Sequence, residues 1–295
     1  NIAVGAGRLG LRTALLTAVG EDLVGDFILH FLEAEGIATQ FIPRKSGTRT
    51  SAVVLGIEPP DRFPLVFYRD NAADVQLTID DVSAMPIENV RAFEFAGTNL
   101  AKEPSRSATL FAAERAHAAG PRVFMDLDFR ADQWDDPRAF GLAVRSILRH
   151  VHVAIGTEEE IKAAALQRLD QLTITRSQFT APEVAGPLEP AIRMLFEQGL
   201  SVLVIKRGSQ GSAVHLADGQ VVNVPAFPVE VYNVLGAGDA FASGLIYGTL
   251  KGWDWYRSAR MGNACGAIIV TRHGCANFMA YEQEALDFIE GRGGF

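Results

Sequence analysis

The sequence predicts an α/β fold: a mainly parallel central sheet with helices on both faces, and a small β-rich lid inserted into it. Three observations carry that prediction. Short β-branched or apolar runs alternate with amphipathic segments along most of the 295 residues, as in strands joined by helical crossovers. Several of the amphipathic segments place Pro or Asp near their first turn, where a helix tolerates or favours them. Between Ile37 and Arg69 the alternation stops, and two strand-like runs follow one another with only Gly, Pro and Asp between them.

In chain order, the segment that opens at Asn1 is rich in Ala and Gly and reads as helix, so an upstream strand is expected to precede it. Strands are expected at Thr13–Val19, Ala92–Ala96, Arg122–Asp126, Val151–Ile155 and Val202–Lys206. Helical spacing covers Asp22–Glu35, Pro104–Ala119, Pro137–His150 and Leu188–Gln198, and right-handed crossovers would join strands to helices. The lid spans about residues 37–70, with strands at Thr48–Ile57 and Pro64–Tyr68. Gln167–Pro187 has little periodicity and reads as a loop-rich insertion. Gly236–Lys251 and Trp253–Ile269 read as two consecutive helices. No repeat is evident, and residues 1–295 are expected to form a single domain.

Composition narrows the function. With 48% hydrophobic and 21% charged residues, the chain has enough apolar surface for a large core and is neither disordered nor fibrous. Its net charge of −8 and the lack of a basic block argue against nucleic acid or a membrane as partner. An acidic protein that binds anions needs placed cations or backbone N–H groups to do so. Two cysteines, Cys265 and Cys275, make no disulfide framework and fit reduced thiols; with no apolar run of about 18 residues, a cytoplasmic protein is expected.

Two glycine motifs compete. Gly5-Ala6-Gly7-Arg8-Leu9-Gly10 has the G-x-G-x-x-G spacing of a dinucleotide turn and would point to an NAD-dependent dehydrogenase. That turn needs a strand before it and a helix after it, and here the glycines read better as small residues on a closely packed helix. No G-x-x-x-x-G-K-[ST] loop occurs. The run Asn233-Val234-Leu235-Gly236-Ala237-Gly238-Asp239-Ala240-Phe241 is more specific. Small residues at a helix start leave unpaired N–H groups accessible to a phosphoryl group, at the positive end of the helix dipole. Asp239 falls in the first turn, where a carboxylate could serve as a base or merely complement the dipole.

This run resembles the C-terminal signature of the ribokinase-like (PfkB) carbohydrate kinases. N-I-A-V-G-A-G-R-L-G followed by A-V-G-E-D-L-V-G-D-F is similar to that family's N-terminal signature, and V-I-K-R-G-S-Q-G-S to its nucleotide-proximal strand and turn. The resemblance covers residues 1 to about 280 and implies a three-layer ribokinase-like fold and transfer of a phosphoryl group from ATP. It implies that Asp239 is the base and that the N–H groups of Gly236, Ala237 and Gly238 form the anion hole. It assigns Lys206, Gly208, Gly211 and Asn263 to the nucleotide. For Mg²⁺, the family's N-x-x-E motif has its best match in Thr157 and Glu160, which implies an indirect role for Glu160. Asn233 stands where many relatives carry an aspartate that helps bind a monovalent cation, which puts potassium activation in doubt. In this family the lid often packs on a second subunit, and an open strand edge needs cover, so a homodimer through the lid is expected.

The acceptor side is read from two segments. Phe67-Tyr68-Arg69-Asp70 closes the lid, and Asp126-Leu127-Asp128-Phe129-Arg130 follows a strand. Ligands of open α/β sheets bind beyond the C-terminal strand ends, and arginine makes bidentate contacts with carboxylates. Tyr68, Arg69, Asp128 and Arg130 are therefore expected to bind an acid sugar, unless each arginine pairs with its neighbouring aspartate. His150 and His152 lack a further ligand at metal spacing, and His273 could approach the nucleotide or cap a helix end. A sugar- or nucleotide-binding protein without catalysis is the rival that Asp239 weakens.

Overall fold

A computed structural model describes residues 1–56, 65–173 and 182–295. One six-stranded sheet runs in the order Val221–Val224, Ser212–Leu216, Val202–Lys206, Val153–Thr157, Arg122–Asp126, Ala92–Ala96. The last three are parallel, and the first two form an antiparallel hairpin. In Arg122–Asp126 every residue after the first is buried. Burial on alternating faces is what a parallel strand covered on both sides requires.

By packing, the chain forms two compact units: Asn1–Leu15, Ile28–Gln40 and Val204–Phe295 make one, and Leu16–Phe27 and Phe41–Leu203 the other. The first is built on the helices Ala237–Leu250 and Trp255–Ile269, with Tyr247, Met261, Ile269, Leu9 and Ile289 buried. In the second, Phe124, Phe129 and Phe140 are buried, with the Phe129 and Phe140 ring centroids 4.7 Å apart and Trp134 5.7 Å from Phe140. Each such aromatic contributes roughly 1.5–3 kcal/mol by burial. Phe129 thereby anchors the loop that carries Asp128 and Arg130.

The lid is an antiparallel pair, Ala52–Leu55 with Leu65–Tyr68. Val53, Val54, Val66 and Tyr68 are about half-exposed on it. The Ile57 and Pro64 ends of the expected lid strands lie outside the described residues. In the loop-rich insertion Leu172–Thr173 pairs with Glu183–Val184, and 174–181 likewise lie outside the described residues.

One expected strand is corrected. Thr13–Val19 yields only the bridge of Ala14 with Ala38 and the short ladder of Val19–Gly20 with Arg44–Lys45. The Ala38 amide bonds Thr13 and the Leu15 amide bonds Ala38. After Leu15 the chain passes from one compact unit to the other, so the ladder is not continued. The hairpin Ser212–Val224 and the helix Glu282–Glu290 were not expected. Among the described residues no helix is long and apolar enough to cross a membrane.

Asp22 ties the start of the helix Leu23–Ala34 to the lid base. Its carboxylate accepts the Gly25 N–H and the Thr50 N–H, both at 2.8 Å. These donors, Thr50 first, hold the carboxyl below the usual range, at about 2. A depressed folded-state value means stability that is present above the ordinary carboxylate range and lost as pH falls toward the folded one. Asp22→Asn is expected to lower Tm near neutral pH, with the gap to wild type closing between about pH 4 and pH 2. A gap that held constant across an acid titration of Tm would contradict this.

Candidate active site

The residues expected to move the phosphoryl group all lie in the unit that contains Val204–Phe295. Gly236 is the N-cap of the helix Ala237–Leu250 and has φ 81°, a left-handed conformation that favours glycine. The buried Asn233 turns the chain just before it, its Oδ1 accepting the Leu235 N–H at 2.9 Å. The Ala237 N–H donates to the Val234 carbonyl at 3.2 Å, and the Ala240 N–H to the Gly236 carbonyl. Of the three amides expected to form the anion hole, that of Ala237 is thus engaged within the turn. Gly238 and Asp239 occupy first-turn positions, which lack a carbonyl one turn back within the helix.

Charge gathers at the same helix start. The Lys206 Nζ lies 3.1 Å from where a Cβ on Gly238 would sit, so an ammonium stands beside the bare first turn. The partly exposed Asp239 carboxylate accepts a hydrogen bond from the Asn1 Nδ2 at 2.7 Å. Cys275 packs against Gly236, with Sγ 3.7 Å from its Cβ position. Burial, and then the Asp239 charge, push the Cys275 thiol up, so it stays protonated. A helix start, an ammonium and an adjacent carboxylate can bind an anion and accept a proton beside it.

The nucleotide assignments divide. Lys206 ends its strand, and the turn after it is closed by Arg207 N–H to the Gly211 carbonyl at 2.8 Å and Gly211 N–H to the Gly208 carbonyl at 3.0 Å. Gly208 and Gly211 have φ of 55° and 85°, so both expected glycines shape this turn. Asn263 instead donates its amide to the Val224 and Pro225 carbonyls, at 3.2 and 3.0 Å. Its Nδ2 fixes the segment that follows the hairpin. His273 stacks on Tyr232, with centroids 5.7 Å apart and planes within 9°.

The acceptor residues lie in the other unit, where a pocket is lined by Phe67, Arg69, Thr98, Asn99, Lys102 and Gln133 among others. Arg69 bridges Gln133 Oε1 and Asp74 Oδ2, both at 2.5 Å. Its partner is therefore Asp74, not the adjacent Asp70. The donors Arg69 Nε and Gln133 Nε2 and the acceptor Asp74 Oδ1 are buried here with no protein partner among the described residues. Arg130 pairs with Asp128 at 2.7 Å, and Asp128, at φ 35°, accepts the Thr98 hydroxyl at 3.2 Å. Asp128 thus touches the pocket wall at Thr98, and Tyr68 is exposed. Burial pushes the Asp132 carboxyl of the pocket wall up.

Lys102 was not foreseen, although a signal existed. Thr98–Lys102 follows the C-terminal end of the strand Ala92–Ala96, the same position in an open sheet that singled out Arg130. Glu160 occupies a capping box: its Oε2 accepts the Thr157 N–H at 2.7 Å while Thr157 accepts the Glu160 N–H. Among the described residues no cluster of three side chains could hold a metal ion. His150 and His152 group with His117, ring centroids 5.5 and 5.1 Å away, but the His152 Nδ1 accepts the Val123 N–H and the His150 Nε2 faces the Arg149 guanidinium at 3.0 Å.

Residues 1–281 match the pfkB family carbohydrate kinase. The chain is 33% identical over 291 residues to the 5-dehydro-2-deoxygluconokinase of Clostridium tetani (strain Massachusetts / E88), covering 98% of this chain and 82% of the relative. It is 33% identical to that of Bacillus anthracis (strain A0248), covering 98% and 84%. In fold it is similar to fructokinase with bound ATP from Xylella fastidiosa, TM-score 0.84 at 23% identity, covering 98% of this chain and 88% of that one. Fructokinase from Vibrio cholerae O395 in its fructose, ADP and calcium ion bound form gives 0.82 at 23% identity, covering 97% and 88%.

Proposed function

The chain belongs to the pfkB family of carbohydrate kinases, and we propose that within it the protein phosphorylates the C6 hydroxyl of 5-dehydro-2-deoxy-D-gluconate with ATP. The observation that carries the reading is the helix start at Gly236, with Asp239 in its first turn and the Lys206 ammonium beside Gly238. Asp239 accepts the proton of the acceptor hydroxyl as its oxygen bonds to the γ-phosphorus. The bond from that phosphorus to the bridging oxygen of ADP breaks, and the proton leaves with Asp239. The Gly238 and Asp239 amides and Lys206 hold the charge of the moving phosphoryl group. Glu160 would help to hold Mg²⁺ indirectly, and the ion would neutralise phosphate charge.

The acid sugar is favoured by Arg69 and Lys102 on the pocket wall. The segments Y-R-D-N-A-A-D and D-L-D-F-R, which carry Arg69 and Arg130, also resemble those of 5-dehydro-2-deoxygluconokinases. The family match runs through both compact units, which supports one kinase domain. The half-exposed apolar residues of the lid support a homodimer that covers it.

An ADP-release assay across sugars tests the substrate. 5-Dehydro-2-deoxy-D-gluconate is expected to give a kcat/KM at least about tenfold above 2-keto-3-deoxygluconate and neutral hexoses. A higher value on 2-keto-3-deoxygluconate would overturn the acceptor and leave the kinase. Stabilisation of Tm by NADH and not by ATP would overturn both.

A further inference from the structure

We infer that Lys102 is the specificity-determining cation of the acceptor pocket: its ammonium, and not the guanidinium of Arg69 or Arg130, takes the carboxylate of the acid sugar. This deepens the reading of the acceptor as an acid sugar and rests on it. Two cations stand on the pocket wall, Arg69 and Lys102. The Arg69 guanidinium is already engaged by the protein, with Nη1 on Gln133 Oε1 and Nη2 on Asp74 Oδ2, both at 2.5 Å. Asp74 thereby balances its charge, in a pair whose side chains are 19% and 18% exposed. Asp128 balances Arg130 in the same way at 2.7 Å. A ligand carboxylate brought to either arginine would also meet the like charge of its aspartate, so the net attraction of such a pair is small.

Lys102 differs on each count. It is exposed on the pocket wall, and its side chain makes no hydrogen bond or ion pair among the described residues. The carboxylate next to it in sequence, Glu103, accepts the Ser107 N–H at 3.2 Å instead. Asp70 and Asp132 on the same wall form no ion pair with it, and as acceptors they suit the hydroxyls of a sugar. Lys102 also stands three residues before the helix Ser105–Ala119, beside the positive end of its dipole, where a cation is unfavourable. An unpaired ammonium at such a place breaks a local rule without a structural return, and such breaks gather at functional sites.

The backbone that carries Lys102 is, by contrast, firmly held. Arg106 donates through Nε to the Leu100 carbonyl at 2.7 Å and through Nη2 to the Ala101 carbonyl at 2.8 Å. Its N–H donates to the Lys102 carbonyl at 2.9 Å. The Ser105 hydroxyl closes on the Asn99 carbonyl at 3.1 Å, and the Arg106 guanidinium lies 5.9 Å from the ring centroid of the buried Trp134. One side chain thus fixes three successive carbonyls, and the ammonium extends from a rigid base.

Steady-state kinetics with ATP test the inference, on 5-dehydro-2-deoxy-D-gluconate and on the neutral analogue in which CH2OH replaces its carboxylate. Lys102→Met keeps the apolar stem and removes the charge. It is expected to raise the KM for the acid roughly ten- to a hundredfold, with kcat and the KM for ATP changed less than about threefold. Its kcat/KM on the neutral analogue should move less than about threefold, so the preference for the acid is lost. Lys102→Arg should recover much of that preference. Arg69→Met should lower kcat/KM on both acceptors alike, because it disorders the wall and leaves the charge reader in place. Lys102 is exposed, so its variants keep the fold even if Arg69→Met does not. An equal loss on both acceptors in Lys102→Met, which marks a structural role, would overturn the inference. So would an acid preference that Lys102→Met keeps or that Arg69→Met abolishes. A wild-type protein with no preference for the acid over its neutral analogue would instead remove the functional reading beneath it.

Discussion

Asp239→Asn is expected to bind ATP and acid sugar with near-wild-type KM and to turn over about 10²- to 10⁴-fold more slowly. The substitution is close to isosteric. Its amide oxygen can still accept from the Asn1 Nδ2, which now lies 2.7 Å from Oδ2, and the helix start at Gly236 keeps its amides and its neighbour Lys206. What disappears is the capacity to take a proton while the hydroxyl attacks. Since the remaining groups still hold both reactants, the loss belongs to kcat. Single-turnover measurements would locate it in the chemical step. Wild-type turnover in the folded variant would remove Asp239 from the chemistry and with it the proposed mechanism.

Gly211→Ala should be the most damaging small substitution in the turn that follows Val202–Lys206. Gly211 has φ 85° and ψ −133°, a region open almost only to glycine. A Cβ there would lie 2.1 Å from the Val224 oxygen, 2.6 Å from the Ala226 nitrogen and 2.7 Å from the Pro225 carbon. All three are backbone atoms, so no rotamer change relieves the overlap. Backbone strain and overpacking together are expected to cost about 2–5 kcal/mol in denaturant unfolding, a large share of the roughly 5–15 kcal/mol of a typical protein. Gly208→Ala in the same turn is the control. Its φ is 55° and nothing lies within 4 Å of its Cβ position, so it should cost only about 1–2 kcal/mol. Equal stability of the two variants would show that the close approach at Gly211 carries no weight.

The fold was most legible where one physical cause acts alone. Ala92–Ala96, Arg122–Asp126 and Val202–Lys206 form strands with the expected bounds, because continuous apolar runs have only the interior of the sheet to occupy. The long helices were equally clear from their spacing. Thr13–Val19 failed because its composition suits a strand while its backbone finds partners only at its two ends. The hairpin Ser212–Val224 was missed because His215 and Asn223 dilute its pattern and because its strands pair with each other locally. At the candidate site, the helix start at Gly236 was legible, since small residues opening an apolar helical run are a property of sequence. The partners of Arg69 were not: Asp74 and Gln133 lie 5 and 64 residues away. Asn263 shows the same limit, because nothing in its own neighbourhood tells that Val224 and Pro225 will take its amide.

The reciprocal bond between Thr157 and Glu160 has an evolutionary side. Glutamine serves a capping box as well as glutamate does, so a drift from Glu160 to glutamine would leave the turn folded while erasing its negative charge. Descendants of this chain could therefore shed that charge by one nucleotide change, and purifying selection on foldedness would never see it.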